Sequence, residues 1–174
     1  MIVYHPAFDF YHTIYRILQL LTYFKRNEYV EVDRLRIWDF YFLFPSQMLS
    51  IKLKENERDI RIFIKKYIAK KADENPYEII LDNKKMFNKM ERYQVAALKN
   101  LASHNIINVD YLSTKKISLV SIDKLKEYTQ NLLPLSIKES NTIKLLTSHF
   151  YQIPLNGKDG LKERTNLIES KYDA

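Results

Sequence analysis

Glycine is nearly missing from this sequence. Two occur in 174 residues, both in Pro154-Leu155-Asn156-Gly157-Lys158-Asp159-Gly160-Leu161-Lys162-Glu163-Arg164-Thr165, and none precedes Gly157. A globular chain of this length carries about a dozen. A Walker A loop, a G-x-G-x-x-G fingerprint and a G-x-S-x-G elbow are all excluded. Cysteine is absent altogether, which removes disulfides, thiolate metal sites and thiol nucleophiles and fits a reducing compartment. Apolar runs such as Phe40 to Pro45 are too short to span a bilayer. The opening Met1-Ile2-Val3-Tyr4-His5-Pro6 lacks the basic and apolar regions of a signal peptide. A cytoplasmic protein without membrane association is expected.

Charge and aromatic residues are unevenly spread. The net charge is +7, and its excess is central: residues 1–50 balance at zero, 51–104 hold thirteen basic against eight acidic residues, and 105–174 hold ten against eight. Such an excess permits attraction to nucleic acid. Thirteen of the 23 aromatic residues fall within the first 44 positions, which marks that region for dense packing.

The hydrophobic pattern is mainly helical. Asp9 suits the N-cap of a helix to about Lys25, with Ile14, Ile17, Leu18, Leu21 and Phe24 inward. A second helix, Val32 to Phe44, ends at Pro45 and has almost no polar side. A third reads from Glu57 to Lys71 with Lys65, Lys66, Lys70 and Lys71 outward or flanking. After Asp73-Glu74-Asn75-Pro76 and a short extended link from Tyr77 to Leu81, a longer helix runs from Lys84 to Ser103. Ile106 to Tyr111 and Ile117 to Val120 are β-branched runs, read as a hairpin. Helices start at Ser121 and at Ser136 or Ser140, and a last helix or turn follows Gly160.

The expected fold is therefore mainly α with a small β-hairpin, winged-helix-like. One domain, 1–174, is expected, comprising an aromatic helical unit (1–50), a winged-helix-like unit (51–121) and C-terminal helices with the glycine-containing tail (122–174). In such a fold the wing and the preceding helix touch phosphates. Lys99, Lys115 and Lys116 are the candidates there, with Lys65, Lys66, Lys70 and Lys71 on the third helix. The alternative is that the same fold docks protein and its lysines only solvate a turn.

Catalytic constellations are lacking. Asp9, His12 and Arg16 share a helix face with His5 upstream, but their spacing matches no known metal motif, and Asp9 is committed to capping. His104 and His149 sit near helix ends, where a cation meets the macrodipole favourably. Nothing assembles a serine nucleophile with its histidine and oxyanion hole. Neither an enzyme nor a cofactor is expected. In the tail, Gly157 and Gly160 permit positive φ or close backbone approach. The loop then either binds an anion through Lys158, Lys162, Arg164 and Thr165 or positions a docking helix.

Two segments carry a resemblance. Met1-Ile2-Val3-Tyr4-His5-Pro6-Ala7-Phe8-Asp9-Phe10-Tyr11-His12-Thr13-Ile14-Tyr15-Arg16-Ile17-Leu18 and Gly160-Leu161-Lys162-Glu163-Arg164-Thr165-Asn166-Leu167-Ile168-Glu169-Ser170-Lys171-Tyr172-Asp173 resemble the small middle component of bacterial three-component ABC systems, the Lamassu-type anti-phage defence operons. The resemblance implies a non-catalytic accessory subunit that assembles with an SMC-like coiled-coil ATPase and an effector, often a nuclease, with direct DNA contact left open. The residues that match are Tyr4, His5, Phe8, Asp9, His12 and Arg16 at the front, and Gly160, Leu161, Lys162, Arg164, Thr165, Leu167, Glu169 and Tyr172 at the back. With Gly157, the front set and Gly160 to Thr165 form the candidate partner-docking residues. Asn166 stands where glycine is expected; Asn tolerates the left-handed region, so the turn survives. The competing reading is a stand-alone winged-helix DNA-binding regulator.

Overall fold

The computed structural model describes residues 4–23, 28–70 and 80–170. Lys71, the break at Asp73 to Pro76, most of the Tyr77 to Leu81 link, Phe24, Lys25 and Tyr172 lie outside them. The described residues are mainly helical with one small antiparallel sheet, as the pattern predicts. In chain order the elements are α1 (Phe10–Leu21), β1 (Tyr29–Glu31), α2 (Val32–Leu43), α3 (Arg58–Phe63), α4 (Asn83–Ser103), α5 (Tyr111–Thr114), β2 (Lys116–Ser118), α6 (Ile122–Thr129), α7 (Ile137–Thr147), α8 (His149–Gln152) and α9 (Leu161–Thr165). They divide into two compact units, each drawn from two separate stretches: Met1–Asp39 with Asn88–Pro134, and Phe40–Phe87 with Leu135–Ala174.

In the first unit, Asp9 caps α1 as its sequence position predicts, Oδ1 accepting the His12 N–H at 2.7 Å. The helix buries Ile17, Leu18, Leu20 and Leu21. It ends at Leu21, earlier than expected, where the Thr22 hydroxyl donates to the Gln19 carbonyl at 2.7 Å, a side-chain competitor for the helix ladder. β1 pairs antiparallel with β2 in the register Tyr29↔Ser118, Val30↔Ile117, Glu31↔Lys116. Beyond β2 on its other side, Ile107 bridges Leu119, Asn108 N–H donates to Ser118 O, and Val120 N–H donates to Ile106 O. The expected hairpin is thus present as a short ladder, and β1 adds a third antiparallel segment that lies far away in sequence. Val30, Ile107, Ile117 and Leu119 are buried while Tyr29 and Lys116 are exposed, the alternation of a sheet with one wet face.

α4 begins one residue before its predicted start and ends where expected. Within this unit it buries Met90, Gln94, Ala97, Leu98 and Leu101 at three- and four-residue steps. α6 starts at its Ser121 cap, whose Oγ accepts the Lys124 N–H at 3.2 Å, and packs against α1.

In the second unit, Pro45 opens a 3₁₀ turn, Pro45–Ser50, directly after α2. The single helix expected over Glu57 to Lys71 is instead three short pieces. A 3₁₀ turn, Glu55–Glu57, leads into α3, and a π turn, Ile64–Ile68, closes with Ala69 N–H donating to Ile64 O at 2.8 Å. The wider turn buries Ile64 and Ile68 while leaving Lys65, Lys66 and Tyr67 exposed together. Both α7 and the Pro45–Ser50 turn pack on it. α7 has a full capping box: Ser136 Oγ accepts from Glu139 N–H at 3.1 Å, and Glu139 Oε2 accepts from Ser136 N–H at 2.8 Å. The Phe40 ring centre lies 5.3 Å from that of Phe44 and 6.1 Å from that of Phe87, and all three side chains are buried.

Candidate functional site

The front motif is built around a buried guanidinium. Arg16 Nε donates to Asp39 Oδ1 at 2.6 Å, Nη2 to Asp39 Oδ2 at 3.2 Å and to Thr13 Oγ1 at 3.1 Å, and Nη1 to the Pro6 carbonyl at 3.0 Å. Gln94 Nε2 donates to Asp39 Oδ2 at 2.9 Å, and Gln94 Oε1 accepts from Arg36 Nε at 3.0 Å. Asp39 is fully buried and Arg16 nearly so. The sequence carried a signal that Asp39 needs a cation, though not which one. Asp39 stands in Trp38-Asp39-Phe40-Tyr41-Phe42, and a carboxylate on a helix without a polar side needs a buried cation. The other front residues are also spent locally. His5 Nδ1 accepts from Ala7 N–H at 3.1 Å, Phe8 packs on Tyr93 with ring centres 5.9 Å apart, and Tyr4 lies against His12 at 5.7 Å. Tyr4 and His12 are exposed, and His5, Phe8 and Asp9 are half-buried.

The back motif centres on a buried carboxylate. Glu57 receives Arg164 Nη1 at 2.8 and 3.1 Å, the Lys54 N–H at 2.6 Å and His149 Nε2 at 2.9 Å. Burial pushes the Glu57 pKa up, but these donors outweigh it and hold the carboxyl below its usual range. His149 sits at a helix end as expected, between α7 and α8, and meets the Glu57 carboxylate there, while His104 Nδ1 lies 2.8 Å from the Asn100 carbonyl. Arg164 Nε donates to the Asp159 carbonyl at 2.6 Å, and Lys54 Nζ sits 3.1 Å from Asp159 Oδ2, which holds that carboxyl below its usual range too.

The two glycines answer different needs. Gly157 has φ +84 and open space where a Cβ would lie; Gly160 has an ordinary φ, but a Cβ there would sit 2.5 Å from the Asn156 carbonyl oxygen. Asn166 takes φ 54 at the end of α9, the left-handed conformation expected of it. Leu161, Lys162, Arg164 and Thr165 are buried, as is Gly160, whereas Gly157 is exposed.

The two ends of the sequence thus each hold a built structural motif, and comparison with known families covers both. Residues 2–173 match the family model of the ABC-three component (ABC-3C) system Middle Component 5. The chain belongs to that family. No curated protein and no solved structure matches it. As a middle component it works with the other components of a three-component system, in an accessory position. Among the described residues no helix is long and apolar enough to cross a membrane, and no group of three or more His, Asp and Glu is placed to hold a metal ion.

The basic candidates of this middle component fall in separate places. Lys99 on α4, Lys115 and Lys116 belong to the first unit, and Lys65, Lys66 and Lys70 to the second; all six are exposed. Lys115 ends α5 with φ 57, and Lys116 Nζ lies 4.3 Å from the centre of the Tyr29 ring. A groove of about 810 Å³ runs along the outer face of α4 within the first unit, with Phe8, Lys89, Arg92, Val95, Ala96 and Lys99 among its walls.

Proposed function

We propose that this middle component is a non-catalytic scaffold of an anti-phage defence complex, docking on an SMC-like coiled-coil ATPase and an effector and contacting DNA through its first unit. The match over residues 2–173 carries the assembly part of this reading. A non-catalytic role is supported by where the buried charges are spent: Asp39 on Arg16 and Gln94, and Glu57 on Arg164, His149 and the Lys54 N–H. Of the docking residues, Tyr4, His12 and Gly157 offer surface for direct contact. Arg16, Gly160, Leu161, Lys162, Arg164 and Thr165, being buried, contribute by holding the shapes of the front turn and the tail loop.

The second reading, a stand-alone winged-helix regulator, draws support from the topology of the first unit. With residues 40–87 in the other unit set aside, helix, strand, helix, helix and then two further antiparallel segments joined through the short α5, with β2 between β1 and the Ile107 segment, is similar to the order of a winged helix. One experiment separates the two. The tagged chain is co-expressed with the products of its neighbouring genes, and a stable three-protein complex with a coiled-coil ATPase and an effector supports the scaffold. Failure of both to co-purify, with a specific promoter footprint by the chain alone, supports the regulator.

A further inference from the structure

We propose that the outer face of α4 in the first unit is a duplex-DNA phosphate-binding surface, made by Lys89, Arg92 and Lys99 around a floor of Val95, Ala96 and Phe8. The proposal rests on the DNA-contact part of the reading above and moves its centre from the Lys115–Lys116 turn to the helix.

The argument begins with spacing. Positions 89, 92 and 99 fall on one side of a helix, about 4.5 and 10.5 Å apart along its axis at 1.5 Å per residue. All three side chains are exposed, and among the described residues no carboxylate pairs with Lys89 or Lys99. Arg92 is propped on its neighbour, Nη2 donating to Tyr93 Oη at 2.8 Å with the guanidinium 4.8 Å from the ring centre. Glu91, the acid of the groove, lies 3.6 Å from Arg36 Nη2, so its charge is partly cancelled. The groove therefore presents a net positive face.

Between the cations the helix surface is low, because Val95 and Ala96 are small and half-buried. A rigid polyanion can approach the helix there, with Asn88 on the same wall as a further hydrogen-bonding group. A row of unpaired cations over a shallow floor suits phosphates, which are neutralised one cation at a time.

The test uses the full-length chain and a fluorescein-labelled mixed-sequence duplex, with affinity read by anisotropy between about 50 and 200 mM salt. Replacing Lys89, Arg92 and Lys99 by Ala together should weaken binding by more than about tenfold and lower the salt slope by about 1 for each cation. A control lacking the exposed Lys124, Lys126 and Lys158 should change far less. Ala96→Glu, a single exchange in the floor, should repel the duplex while leaving the circular dichroism melt in place. Equal losses in the α4 and control triples would overturn the proposal. If the wild type binds and only Lys115→Ala with Lys116→Ala abolishes it, the α4 surface is wrong and the DNA reading stands. If the wild type does not bind duplex at all, both fall; loss of a partner protein from the α4 triple would then assign the face to an acidic protein segment.

Discussion

Arg16 and Arg164 do similar work at opposite ends of the sequence, and their settings differ. Arg16 meets Asp39, which has no exposed surface, and every partner of that pair belongs to the first unit. Arg164 meets Glu57, which keeps slight exposure and is shared with His149 and the Lys54 N–H. Asp39 has Arg16 and the Gln94 amide as donors, whereas Glu57 adds His149 and the Lys54 N–H to its arginine. The first arrangement should be brittle and the second tolerant, although both arginines stand in matched motifs and both were expected to face a partner.

Asp39→Ala tests brittleness most severely. It leaves the Arg16 guanidinium buried without a counter-charge, and a loss of about 3–5 kcal/mol in urea denaturation is expected; a loss under about 1 kcal/mol would erase the contrast. Arg164→Ala should cost less, about 2–3 kcal/mol, because Glu57 retains its other donors. Gly160→Ala should cost about 1–3 kcal/mol by crowding the Asn156 carbonyl, and its unfolding midpoint compared with that of Arg164→Ala shows whether loop and ion pair fail together.

Acid sharpens the comparison further. Because the native Glu57 carboxyl titrates below its usual value, the unfolded chain binds that proton more readily in acid. Its contribution is complete above about pH 4.3, the ordinary value, and is lost as pH falls through the lower native value. Glu57→Gln should flatten the stability profile in that window, and an unchanged profile would show that Glu57 is not the group responsible. The smallest effects on stability belong to Tyr4→Ala and His12→Ala, within about 0.5 kcal/mol. If these exposed residues dock, complex recovery in a pull-down falls while the melting curve holds.

Much of the local structure was legible because it depends on neighbours in sequence. The Asp9 and Ser121 caps, a helix start at Ser136 or Ser140, the stop at Pro45 and the span of α4 each follow from a few adjacent residues, whereas the left-handed Asn166 was expected from the family resemblance. The break of the Glu57 to Lys71 pattern into 3₁₀, α and π turns did not show, since Ile64 and Ile68 stay inward in either winding and only Tyr67, which the wider turn leaves exposed, departs from the helical pattern. The partners of Arg16 and Arg164 were hidden for another reason. Asp39 and Glu57 are 23 and 107 residues away, and only the folded chain selects them from the other acids. The same distance effect paired β1 with β2 instead of leaving a simple hairpin.

The pinch at Gly160 bears on how this segment drifts in sequence. Position 157 asks only for a left-handed backbone, which Asn or Asp also adopts, and nothing stands where a side chain would grow. Position 160 asks for the absence of a side chain, a demand that no other amino acid meets. Distant members of the family should therefore replace the first glycine only by residues that accept the left-handed region, chiefly Asn or Asp, and keep the second, so that a search pattern for this loop is best anchored on Gly160 and the arginine four residues beyond it.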